Sequence, residues 1–88
     1  MTAHAENLAR LLDPGLIPVI RAESSEHLMA VCEALVAGGI TALEITMTTP
    51  NALVCIREAA RRFAPQAMTG AGSVTTPEMC RATIEAGA

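Results

Sequence analysis

The sequence predicts an α/β fold of parallel strands, and three observations carry that prediction. Short continuous apolar runs alternate with stretches whose apolar residues recur at helical spacing. A Thr-Thr-Pro triplet occurs twice, at Thr48-Thr49-Pro50 and Thr75-Thr76-Pro77, and its prolines stand 27 residues apart, about one βα module. Small or polar residues fall on one side of each expected strand, with large aliphatics mostly on the other. A leading helix and three βα units fill residues 1–88, which read as one single partial domain without a linker or low-complexity stretch.

Each element has its local reason. Ala5, Leu8, Leu11 and Leu12 give the leading helix its stripe, and Asp13-Pro14-Gly15 stops it. Leu16-Ile17-Pro18-Val19-Ile20-Arg21 is a continuous apolar run of the buried-strand kind, weakened by Pro18, which donates no ladder hydrogen bond. Ser24 or Ser25 can cap a helix with Leu28, Val31, Cys32, Leu35 and Val36 on one face, and Gly38-Gly39 ends it. The next strand runs from Ile40 to Thr46. Thr49 is the expected N-cap of the helix after it, with Pro50 at its first position and Leu53, Ile56, Ala60 and Phe63 facing inward. A third strand lies within Ala67 to Val74, and Thr76-Pro77 opens a last helix that fades at Gly87.

Composition narrows the function. The chain has one Phe, no Tyr or Trp, and a net charge of −3. It therefore lacks both the stacking platforms and the positive field that nucleic-acid binding needs. No apolar run approaches the ~18 residues of a membrane span, and no signal peptide is visible at the amino terminus. Cys32, Cys55 and Cys80 are widely spaced within apolar helical patterns and read as small buried hydrophobes, which suggests a reducing, cytoplasmic setting. His4 and His27 read as solvated, and Arg57, Arg61 and Arg62 as an exposed helix face.

Two architectures fit this order, an open three-stranded layer or the N-terminal portion of a (β/α)₈ barrel. Strand alternation groups Arg21 with Ile17 and Val19, Glu44 with Ala42 and Thr46, and Ser73 with Thr69 and Ala71. Arg21, Glu44 and Ser73 then converge near the C-terminal ends of the strands, where barrel enzymes keep their chemistry. Glu44 is the foremost candidate, because a lone carboxylate in an apolar strand is costly unless paired, protonated or used. Its bland alternative is a strand-end acid that pairs with Arg21. Ser73 could equally be a helix-entry hydroxyl. Gly70-x-Gly72 lacks the third glycine of a dinucleotide fingerprint.

Taken together, five stretches resemble the 2-keto-3-deoxy-6-phosphogluconate (KDPG) and 4-hydroxy-2-oxoglutarate aldolases. They are Leu16-Ile17-Pro18-Val19-Ile20-Arg21, Ala34 to Ile40, Leu43-Glu44-Ile45-Thr46 through Pro50, Gly70-Ala71-Gly72-Ser73-Val74, and Glu85-Ala86-Gly87-Ala88. The resemblance implies a class I, Schiff-base aldolase on a (β/α)₈ barrel, usually trimeric, acting without a metal or other cofactor. Its substrate would be a small 2-keto-3-deoxy sugar acid, cleaved to pyruvate and glyceraldehyde 3-phosphate. Glu44 matches the family's general acid/base, and Ser73 the position, usually Thr, that lines the pyruvyl end. Gly72 with Gly70 would let substrate approach the backbone.

Two departures from the family pattern bear on function. Thr48 stands where many members have Arg, and the resemblance implies that Arg21 supplies the carboxylate-facing cation instead. The six basic residues are all Arg, so the chain has no lysine to form the imine. A guanidinium stays protonated and cannot replace it. The expectation is a truncated piece of an aldolase, inactive alone, with a non-catalytic half-barrel assembly module as the rival. A metal-dependent lyase built on Glu44 is disfavoured by the lack of a clustered second carboxylate or His.

Overall fold

A computed structural model describes residues 2–88. Helix α1 spans Ala3–Leu12, with the Thr2 hydroxyl accepting from the Ala5 N–H at 3.1 Å. None of its residues is buried, and Arg10 Nη2 holds it to the rest by donating to the Pro65 carbonyl at 3.1 Å. Strand β1 is only Val19–Ile20, shorter than the apolar run containing it. Pro18 still serves the ladder as an acceptor, since its carbonyl takes the Glu44 N–H at 3.1 Å.

Helix α2 (Ser25–Ala37) is capped by Ser24, and Gly39 at φ 102° turns the chain out of it. Strands β2 (Ala42–Thr46) and β3 (Met68–Gly72) complete a parallel sheet ordered β1-β2-β3. Helix α3 (Ala52–Phe63) joins them, and α4 (Pro77–Ala86) follows β3. Among the described residues no helix is long and apolar enough to cross a membrane.

The register decides which side chains meet. Val19 lies beside Glu44 and Glu44 beside Gly70, while Thr46 aligns with Gly72. Ile20, Ile45 and Ala71 form a row on the opposite face, as do Leu43 and Thr69. That second face meets the helices: Ile20, Leu43 and Ile45 pack with Leu28, Cys32, Cys55, Ile56, Ala59 and Phe63 in one aliphatic core. Helices α2, α3 and α4 lie side by side in chain order. A doubly wound sheet would place helices on both faces. Sequential parallel strands with one helical layer instead make an arc of a (β/α)₈ barrel, its N-terminal portion.

Four expectations need correction. Thr69 and Ala71 share the helix-facing side with Leu43 and Ile45, so Glu44's face in β3 belongs to Gly70 and Gly72. Ser73 has φ 58° and leaves the strand's alternation altogether, which is why parity misplaces it. Thr49 is not the cap of α3. That helix starts at Ala52 after a left-handed Asn51 without a side-chain cap, and Thr49 is buried at 5% exposure. Its N–H bonds the Thr46 carbonyl at 3.1 Å in a tight turn. The second triplet does cap as expected, with the Thr76 hydroxyl taking the Met79 N–H at 3.1 Å and Pro77 opening the helix. Finally, Cys32 and Cys55 are buried in the core but Cys80 is exposed.

Candidate active site

The face of the sheet turned away from α2, α3 and α4 is the concave side of the arc. A cavity of about 190 Å³ lies on it, lined by Leu11, Ile17, Ala42, Glu44, Met68 and Gly70. Glu44 brings the only carboxylate among the residues lining it. Its backbone is fixed on both sides, by Pro18 in front and by the β3 ladder behind.

Glycine at position 72 makes room for that side chain. A Cβ built on Gly72 would collide with Glu44 Oε2 and fall 2.7 Å from Cδ and 3.1 Å from Cγ. Glu44 aligns with Gly70, so its carboxyl reaches diagonally, one pleat toward the C-terminal end of the sheet. The resemblance implied an approach for substrate at Gly72, whereas the space beside it is filled by the carboxyl of Glu44.

Beyond the carboxyl lies a cluster of hydroxyls that sequence reasoning missed. Thr46, fully buried, has its Oγ1 2.9 Å from Thr48 Oγ1 and 3.3 Å from Thr49 Oγ1. The available signal was three threonines within four residues at the end of a strand, which the capping assignment of Thr49 obscured.

Arg21 is exposed at the end of β1, where it borders a surface recess with Ala22, Glu23, Ser24 and His27. It forms no ion pair with Glu44; the two ion pairs among the described residues are Arg61–Glu58 at 2.8 Å and Arg62–Glu33 at 3.0 Å. Ser73 is exposed, immediately after Gly72. The structure thus brings Glu44 and Gly72 together and leaves Arg21 and Ser73 on the rim. No cluster of three His, Cys, Asp or Glu suited to a metal exists among the described residues.

Comparison with known proteins agrees with the fold. A family model described as KDPG and KHG aldolase matches residues 8–88. The KHG/KDPG aldolase of Escherichia coli (strain K12) is 41% identical over 73 residues, covering 83% of this chain and 34% of that protein. The 2-dehydro-3-deoxy-phosphogluconate aldolase of Pseudomonas aeruginosa is 37% identical over 87 residues, covering 99% of this chain and 38% of its own. The crystal structure of 2-keto-3-deoxy-6-phospho-gluconate aldolase from Zymomonas mobilis superposes with a TM-score of 0.72 at 39% identity, over 81% of this chain and 34% of that one. The chain spans about a third of the length of these relatives. With the barrel arc and the matched Glu44 strand, these similarities establish that the chain belongs to the KDPG and KHG aldolase family.

Proposed function

We propose that these residues carry the proton-transfer part of a class I aldolase that cleaves 2-keto-3-deoxy-6-phosphogluconate to pyruvate and glyceraldehyde 3-phosphate. The observation that carries the reading is the half-buried Glu44 carboxyl on the concave face, directed toward the C-terminal end of the strands over Gly72. There it would accept the proton of the C4 hydroxyl as the C3–C4 bond breaks, and return a proton to the enamine carbon. Ser73 would line the pyruvyl end, and Arg21 would face the substrate carboxylate from the rim. The imine-forming amine would come from a lysine outside these residues, which contain none. The 88 residues alone would then be inactive, one partial domain of a cytoplasmic homotrimer.

A chimera tests this, with residues 1–88 replacing the corresponding third of the E. coli relative. It should release pyruvate from KDPG, and Glu44→Gln should cut kcat by about 10²-fold or more. A folded chimera that borohydride still traps with pyruvate, yet whose E44Q form keeps the parental rate, would refute the reading.

One observation favours a second reading, a non-catalytic half-barrel module. Leu8, Leu12, Leu16, Ile17 and Val19 are all exposed, at 44–69%. Light scattering on the purified 88-residue chain decides: a compact, cooperatively melting monomer excludes a module that needs a partner.

A further inference from the structure

Among the described residues, β1 and β3 each pair only with β2, and the ladder shows which backbone groups line their outer edges. Successive residues of a strand direct their N–H and C=O to opposite sides. The Glu44 N–H bonds the Pro18 carbonyl, so Pro18 and Ile20 serve β2 while the backbone groups of Ile17 and Val19 face outward. In β3 the Met68 N–H bonds the Thr41 carbonyl, and the Gly72 carbonyl accepts from Met47. Thr69 and Ala71 therefore point their N–H and C=O away from β2. Neither edge is guarded. Both strands lack charged residues, and Pro18, in other sheets a protector of edges, turns its missing donor toward β2.

We infer that the β1 edge of one copy of this chain pairs in parallel with the β3 edge of a second copy. The inference needs only these two edges, so it stands apart from the aldolase reading; it names the partner of the half-barrel module. Val19, Glu44 and Gly70 already form one row across the sheet. A second copy's Val19 beside Gly70 continues that row, its N–H donating to the Thr69 carbonyl and its carbonyl accepting from Ala71. Size agrees with hydrogen bonding. Gly70 and Gly72 leave β3 bare on the concave face, whereas Ile17 and Val19 are 44% and 48% exposed. The area is sufficient too. The chain exposes 5459 Å², against about 4,900 Å² for a folded monomer of its 9.1 kDa. The excess of roughly 600 Å² matches what one partner gives to a small stable interface of about 1,200 Å². A two-fold pairing of like edges could not keep both strand direction and concave face in common. The contact is therefore head-to-tail, and it leaves a free edge at each end for further copies.

Light scattering on the purified chain and two edge variants tests this. Wild type should gain mass with concentration and pass twice the 9.1 kDa of one chain. Val19→Pro removes an outward donor and leaves the bonds to β2 intact, so it should weaken association about tenfold or more. Ala71→Pro should do the same from the β3 edge. Mixed one to one, V19P and A71P should form a dimer that grows no further, since each retains the edge that the other lacks. A71P alone forming dimers would indicate like-edge pairing and overturn the inference. Undiminished association of V19P would assign it to the exposed leucines of α1 instead, a result that stands even if A71P does not fold. That outcome sinks this inference and spares the half-barrel module. A wild-type monomer at every concentration sinks both.

Discussion

The carboxyl of Glu44 occupies the volume that a side chain at position 72 would need. Glu44 pairs with Gly70 across the ladder, and Gly72 pairs with Thr46, so the contact is diagonal across the β2–β3 seam. One glycine thereby sets where the only acid on the concave cavity can point. The atoms in the way belong to the far end of a flexible side chain, and that determines what substitution does.

Gly72→Ala should therefore leave folding nearly intact while displacing the carboxyl. Gly72 is not among the glycines with positive φ, so its backbone accepts alanine. Lower entropy of the unfolded chain would offset part of any packing strain, keeping the change within about 1 kcal/mol. In the chimera, G72A should lose activity nearly as far as E44Q does. The double variant should be no worse than either alone, because both remove the same placed carboxyl. Full activity in G72A with an unchanged melting curve would show that the position of the carboxyl does not matter.

Most of the architecture was legible in the sequence because its signals are local. Ser24 and Thr76 act through hydroxyls that accept an N–H three residues on, Gly39 and Pro77 through their own backbones, and the structure finds them where expected. What could not be read depends on register or on tertiary competition. Thr49 looks identical to Thr76 in its triplet, yet a buried Thr46 hydroxyl draws it inward and the cap is lost. Placing Thr69 on the helix side requires the pairing Leu43↔Thr69, which no single strand encodes. Glu44 stands out as a candidate because a carboxylate among aliphatics is conspicuous in any register.

Thr69 supplies a stability prediction. Its Oγ1 is buried without a hydrogen-bond partner, on the face packed against the helices. Thr69→Val keeps the branched shape and removes the unsatisfied group, so urea unfolding should show a gain of about 1 kcal/mol. A loss of similar size would mean that the hydroxyl is satisfied in solution.

Gly87 behaves oppositely to Gly72. Its φ of 121° disfavours any side chain, and a Cβ there would fall 2.8 Å from the Ala60 Cβ on α3. Neither atom has a flexible arm to swing away. Gly87→Ala should cost about 2 kcal/mol or more, combining backbone strain with overpacking between α3 and α4. Ala60→Gly in the same chain should restore only the steric share, a partition that a double-variant denaturation cycle measures.

The alkaline limit of stability should be set between α2 and α3. Burial, reinforced by neighbouring Cys55, pushes the Cys32 thiol from an ordinary 9.0 up to about 11, with Arg62 opposing weakly. Burial raises the Cys55 thiol as well. Above the unfolded value, the unfolded chain has released a proton that the folded chain still holds, so stability falls as pH rises. The contribution is complete below about pH 9 and declines through pH 11, where Cys32 alone has cost about 2 kcal/mol. Cys32→Ala should flatten the slope of stability over this window, though the cavity lowers stability at every pH. At neutral pH a thiol reagent should label Cys80 rapidly and the other two only on unfolding, because Cys80 alone is exposed. Rapid labelling of all three cysteines in the folded chain would mean that α2 and α3 part readily, and the alkaline slope should then vanish with them.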